Sequence, residues 1–354
     1  MRIPIDPGHL TCFSGAGRPF FLFTTADYVP CLDVAPAART LLLDPARSLA
    51  ANLRDTTPDD GDVLVIAPGL FLASPAEGDD LGGRRVCVMP CGSTPVTAGQ
   101  VAHGVVALRS ADPEAQQARA EAFFAAIENA SALTLTDRPR RTACGFDATG
   151  DHLSWHQQAG PLAPGEQQIG PAGELAVFPG EITSFTPDRT LPLDGELCLR
   201  GWPIVHGGYR DDLADEQAAL YQALLPLHAE PVRLTIEDGR ITGCAPLTPG
   251  ARQPAAALTA LFQDDPRLRV IWELGFGINP DVTLQPGNCG LNEVYGGRHG
   301  VVHLGLGLTP WTRFALTFLC PDTTLVADDA RAILGPPPLA GRVNRRKSAS
   351  CGCT

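Results

Sequence analysis

The sequence predicts an α/β protein in two domains, an N-terminal α/β sheet domain followed by a C-terminal mixed α+β domain. Three observations lead there. The chain has 354 residues, of which 44% are hydrophobic, enough for two cores at the usual roughly 150 residues per domain. In the first half, short apolar runs bounded by turn residues alternate with helical stretches. From about residue 135 onward, strand and turn signals dominate, in keeping with 37 glycines and 33 prolines.

Strands are expected at Asp62 to Ala67 (DVLVIA), Arg85 to Met89 (RVCVM) and Gly104 to Leu108 (GVVAL), which are β-type runs flanked by turn formers. Helices are expected at Asp44 to Leu53 and Asp112 to Asn129, each opening with a capping acid and a proline at the first helical position. Neither Gly15-Ala16-Gly17 nor Gly82-Gly83 forms a GxGxxG between strand and helix, so no nucleotide fingerprint is present. Leu133 to Thr136 is a short β-type run at the change of character. Beyond it, Pro231 to Gly243 alternates around Asp238-Gly239, a strong hairpin turn. Helices are expected on either side of that hairpin, at about Ala214 to Leu225 and Pro254 to Phe262. The segment from Gly335 to Thr354 is Pro-rich, then basic, and reads as a disordered tail. The expected organisation is therefore residues 1–134, 135–334 and a flexible tail at 335–354.

Composition narrows the function. A net charge of −12 argues against a nucleic-acid partner, because phosphate binding needs a basic surface. It is compatible with a cationic or neutral peptide. The opening Met1-Arg2-Ile3-Pro4-Ile5-Asp6-Pro7-Gly8 lacks the apolar core of a signal peptide, and no apolar run is long enough to span a membrane. Eleven cysteines, an odd number without a secretion signal, fit reduced thiols in a cytoplasm. Cys87-x3-Cys91 and Cys351-x-Cys353 are not the paired CxxC of a structural zinc site.

Three segments place acids or histidines among glycines. In Gly173 to Glu181 (GELAVFPGE) two carboxylates flank an apolar strand, and a glutamate at a strand end can reach a divalent cation. In Trp272 to Pro280 (WELGFGINP), Glu273 follows an apolar run, and a half-buried carboxylate needs a metal, a cation or a proton. The third is Glu293 to Gly307 (EVYGGRHGVVHLGLG). Its glycines and valines argue for a strand, whose rise of roughly 3.3 Å per residue sets His299 and His303 about 13 Å apart. The two therefore cannot share one metal, and His303 is the better ligand. Solvated strand-end acids and a satisfied core histidine are the alternatives. No GxSxG, Walker A, HExxH or kinase set occurs.

Taken in order, these segments resemble the metal domain of the aminopeptidase T/S family. Residues 173 to 181 are similar to its GEV-x-x-x-P-x-E strand, and Glu273 to Pro280 (ELGFGINP) to its ELGIGTNP motif. Gly300 to Gly307 (GVVHLGLG) resembles GTVHIALG, and the hairpin lies where a hairpin is expected. The resemblance covers about 135 to 334 and implies a C-terminal domain of the aminopeptidase T/S type, commonly dimeric. In that family carboxylates and histidines hold two divalent metals, and a bridging water attacks the peptide bond. Carried over residue by residue, Glu174, Glu273 and His303 match ligand or catalytic positions, and Glu293 matches a preceding glutamate if an insertion is allowed.

The family's His-x-Asp pair on the last strand reads Ala315 and Thr317 here. Alanine has no donor atom, and threonine does not ligate as a carboxylate does. The same loss counts against the two-His, one-carboxylate iron site of related ring-cleaving dioxygenases. The resemblance then implies a metal-free relative without catalytic residues, in which Glu174, Glu273, Glu293 and His303 are vestigial. It would be a cytoplasmic homodimer similar to the peptide-binding proteins of crocagin biosynthesis, holding a precursor peptide for its tailoring enzymes. The alternative is a metal-dependent aminopeptidase with a rearranged ligand set, holding one or two ions such as zinc and drawing on Glu293 or His299.

Overall fold

The computed structural model describes residues 2–13, 15, 17–70, 80–89, 92–181, 184–328 and 331–337. The expected disordered tail lies almost wholly outside them. Within them the protein is a mixed α/β fold with several sheets and few helices.

Near-continuous apolar runs make strands buried on both faces, the signature of a parallel sheet covered by helices. Asp62–Ile66 and Arg85–Met89 form such strands, as expected. Phe20–Thr24, an equally buried run, pairs between Asp62–Ile66 and Ala38–Leu42. The parallel five-stranded sheet is completed by Gln167–Ile169, which returns from far along the chain to pair with Arg85–Met89. Pairing of Ile3–Ile5 with Leu32–Val34 adds a small second sheet.

Two sequence expectations fail here for local reasons. Gly104 to Leu108 is not a strand but lies inside the helix Ala98–Ser110. Thr97 and Gln100 form a capping box at its start, and buried Val101, Val105 and Leu108 repeat at helical spacing while Val106 is exposed. The first helix starts later than expected, at Leu49–Thr56, capped by Ser48. Asp44 instead accepts from Ala46 N at 3.0 Å, holding residues 44–47 in a turn. The helix Pro113–Glu128 does open on Asp112, whose side chain accepts from Ala115 N.

The remainder is built from two antiparallel sheets. Alternation along their strands puts one face of each into a shared core. The seven-stranded sheet runs, in spatial order, Arg240–Pro246, Val232–Glu237, Leu193–Leu199, Thr142–Phe146, Leu133–Asp137, Thr324–Ala327 and Ala332–Leu334. The expected hairpin turns at Asp238-Gly239, both with positive φ. The six-stranded sheet carries the site. Its strands in chain order are β1 (Ser154–Gln158), β2 (Glu174–Phe178), β3 (Trp202–His206), β4 (Ile271–Gly277), β5 (Val301–Leu306) and β6 (Ala315–Cys320). In space they run β3-β6-β5-β4-β2-β1.

One face of this sheet (Leu175, Val177, Val205, Leu274, Phe276, Val302, Leu304, Leu316, Phe318) packs into the main core with Leu135, Leu197, Leu234 and Ile236 of the other sheet. Helices Ala214–Leu224 and Arg252–Asp264 contribute Tyr221, Leu224, Leu258 and Phe262, and Pro113–Glu128 contributes Phe123 and Ile127. The site lies on the sheet's opposite face. Among the described residues all eight cysteines are free thiols, most of them buried. No helix among them is long and apolar enough to cross a membrane.

Candidate metal centre and polar site

Strand parity assigns the site residues to one face. Glu174 on β2 pairs across from Gly277 on β4, His303 on β5 across from Gly275, and Glu273 on β4 across from Gly305 on β5. Each functional side chain is therefore opposed by a glycine. The reason is steric: a Cβ at Gly275 would fall 1.8 Å from His303 Nε2, and one at Gly305 would fall 2.7 Å from the Glu273 carboxylate. Gly277 serves the backbone, since a Cβ there would meet Tyr295 O at 2.4 Å and Glu293 O at 2.9 Å. Its bareness lets the 3₁₀ turn Gly290–Val294 settle on the sheet and deliver Glu293. A register shift between Ile271 and Glu273 marks a bulge. It lets Trp272 fill an apolar cluster with Ala176, Phe178 and Phe185 while the adjacent Glu273 turns to the site.

Three of the four sequence candidates converge. His303 Nε2 is 3.0 Å from Glu174 Oε1 and 3.4 Å from Glu273 Oε1, and the three ligand atoms lie within 4.8 Å of one another. Burial alone would lower the His303 pKa, but the two carboxylates outweigh it and raise it to about 10. For Glu174 burial dominates and raises its pKa to about 7, against the pull of His303. His303 Nδ1 is buried with no hydrogen-bond partner among the described residues.

Glu293, the fourth candidate, joins a neighbouring network that the sequence did not disclose. Its Oε1 accepts from Thr317 Oγ1 at 2.7 Å and lies 3.0 Å from His206 Nε2. His206 ends β3 and pairs across from Ala315. Its Nδ1 is 2.6 Å from Ser93 Oγ, and Ser93 comes from the loop after the parallel strand Arg85–Met89. The same loop is tied to β3 by Gly207 N donating to Ser93 O at 2.8 Å, and by Gln217 Nε2 donating to both Ser93 O and Val205 O. Burial would lower the His206 pKa and raise that of Glu293. Their mutual attraction prevails, moving histidine up and carboxylate down. His206 carried a findable signal, a histidine closing an apolar strand before Gly207-Gly208, as Glu273 precedes Leu274-Gly275 and His303 precedes Leu304-Gly305. His299 is exposed and stays outside the site.

The two-metal set implied by the resemblance does not fit these residues. Ala315 offers no atom, and the Thr317 hydroxyl donates to Glu293 rather than facing a cation. A single divalent cation does fit Glu174, Glu273 and His303, whose two carboxylate oxygens and one imidazole nitrogen suit zinc or manganese.

No family model and no curated protein matches the chain. Among solved structures, it is similar to 2,5-dihydroxypyridine dioxygenase from Pseudomonas putida KT2440, with a TM-score of 0.53 and 16% identity over 91% of both chains. Wild-type AmpT from Thermus thermophilus is similar with a TM-score of 0.42 and 10% identity, over 92% of this chain and 94% of that one. The likeness to the dioxygenase is one of fold.

Proposed function

We propose that the protein binds a peptide and does not hydrolyse it by a two-metal route. The observation that carries this reading is Thr317. It stands in the site, 96% shielded from solvent, and gives its proton to Glu293, while Ala315 beside it on β6 has no donor. A bridging water between two ions needs ligands to both, and these two positions supply none. The peptide would lie over the polar face of the six-stranded sheet, with strand addition at the edge strand β1 as one mode of capture. The sequence resemblance to the crocagin proteins makes a ribosomal precursor peptide the proposed ligand, its tailoring enzymes the further partners, and a homodimer the proposed assembly.

A second reading, a metal-dependent hydrolase with a rearranged ligand set, is favoured by the convergence of Glu174, Glu273 and His303. One set of measurements separates the two. The protein, purified without chelator, is assayed for hydrolysis of an aminoacyl substrate panel and titrated calorimetrically with candidate precursor peptides. Binding without turnover is expected. Turnover that depends on added metal and disappears in Glu273→Gln would refute the binding reading.

A further inference from the structure

The polar face divides into an open half and a closed half. In the open half, three donor groups converge on one point and His303 Nδ1 lacks a partner among the described residues. In the closed half every partner is internal. Ser93 Oγ serves His206 Nδ1 at 2.6 Å, and His206 Nε2 serves Glu293 Oε1 at 3.0 Å. Thr317 Oγ1 serves the same carboxylate oxygen at 2.7 Å. Nε2–H donates to the Glu293 carboxylate, which can only accept, and Nδ1 is held by the Ser93 hydroxyl.

We propose that His206 stands in for a cation beside Glu293, so that the site takes one divalent ion, at Glu174, Glu273 and His303, and excludes a second. Three observations bear on this. His206 comes from β3, directly across from Ala315, and reaches Glu293 from the neighbouring strand. Buried to 9% exposure, it fills this side of the site with an imidazole both of whose nitrogens are engaged. A ligating nitrogen must offer a free lone pair, and here both nitrogens already face partners, Nδ1 the Ser93 hydroxyl at 2.6 Å and Nε2 the Glu293 carboxylate at 3.0 Å. Ser93 is thus a positioning residue that holds the ring, contributed by the N-terminal half of the chain. This goes beyond peptide capture and depends on metal stoichiometry alone, so a failed peptide titration leaves it untouched.

The test is a zinc and manganese titration of the chelator-stripped full chain, read by calorimetry and by metal content after dialysis. One ion per chain is expected, falling to none in Glu273→Gln. Adding Ala315→His and Thr317→Asp together is expected to leave the count at one, whereas the same pair with His206→Gly raises it to two. A wild-type count of two that drops to one in His206→Gly makes His206 a ligand and overturns the proposal, as does a wild-type count of zero. Should the triple variant not fold, nitrogen NMR of the wild-type histidines decides. Zinc is expected to move the His303 ring signals and leave those of His206 in place. A zinc-induced shift at His206 matching that at His303 overturns the proposal.

Discussion

Replacing Gly275 by alanine should unmake the centre of the site at the cost of a single methyl. Gly275 lies in the middle of β4, between β5 and β2, and its added Cβ would sit 1.8 Å from His303 Nε2, 2.4 Å from Cε1 and 2.5 Å from Cδ2. Ordinary contact begins near 3.4 Å, so the ring must retreat by well over an ångström. It has nowhere to go, because His303 is fully buried. Displacement breaks the contacts to Glu174 at 3.0 Å and Glu273 at 3.4 Å. Each hydrogen bond to a charged group is worth about 1.5–3 kcal/mol, and overpacking adds about 1–3 kcal/mol. A loss of about 4 kcal/mol follows, since the deformation relieves part of each term. Urea unfolding measures it, with Gly99→Ala as the control. Gly99 lies in the first turn of Ala98–Ser110, the nearest atom to an added Cβ is 3.6 Å away, and that variant should gain about 0.5–1 kcal/mol. A Gly275→Ala protein as stable as wild type would refute the steric account of the site.

Three further outcomes follow from the same structure. In chelator-treated protein, His303 titrates above its ordinary value, so its stabilising contribution is whole below about pH 6.5 and is lost as pH rises toward about 10; urea midpoints across that window should fall in wild type and fall less in His303→Gln. Arg84→Met should cost about 3 kcal/mol by chemical denaturation, because it strands the Thr57 carbonyl that the buried guanidinium satisfies at 2.7 Å and removes the bond to Thr57 Oγ1 at 2.9 Å; a loss under 1 kcal/mol would mean that water replaces it. Asp112→Ala should cost about 1 kcal/mol through loss of the cap on Ala115 N, and Asp112→Asn should restore most of it.

Legibility in the sequence tracked how local the determining physics was. The cap at Asp112, the turn at Asp238-Gly239 and the alternation of GELAVF and VVHLGL are written in neighbouring residues and could be read. Gly104 to Leu108 looked like a strand because two valines adjoin. The deciding signals lay outside that window, in the Thr97–Gln100 box and the i, i+4, i+7 burial of Val101, Val105 and Leu108. At the site, Glu174, Glu273 and His303 were legible because each sits in a glycine-bearing strand motif. His206 precedes Gly207-Gly208 in a comparable motif, but its role could not be read from it, since that role depends on β3 pairing with β6 and on a serine 113 positions away in sequence. Such a pairing is set by tertiary topology rather than by any local pattern.

The strand Gln167–Ile169 has a practical meaning for anyone dividing this protein. It closes the flank of the parallel sheet at Arg85–Met89, while Pro113–Glu128 sends Phe123 and Ile127 the other way, into the core of the antiparallel sheets. Each half thus lends the other a piece of secondary structure, like two hands with fingers interlaced. Cutting at residue 134 would split the strand Leu133–Asp137, and would leave one fragment with a bare parallel edge and the other with an uncovered aromatic floor. Neither fragment should stay soluble alone, so the two halves are best kept in one chain.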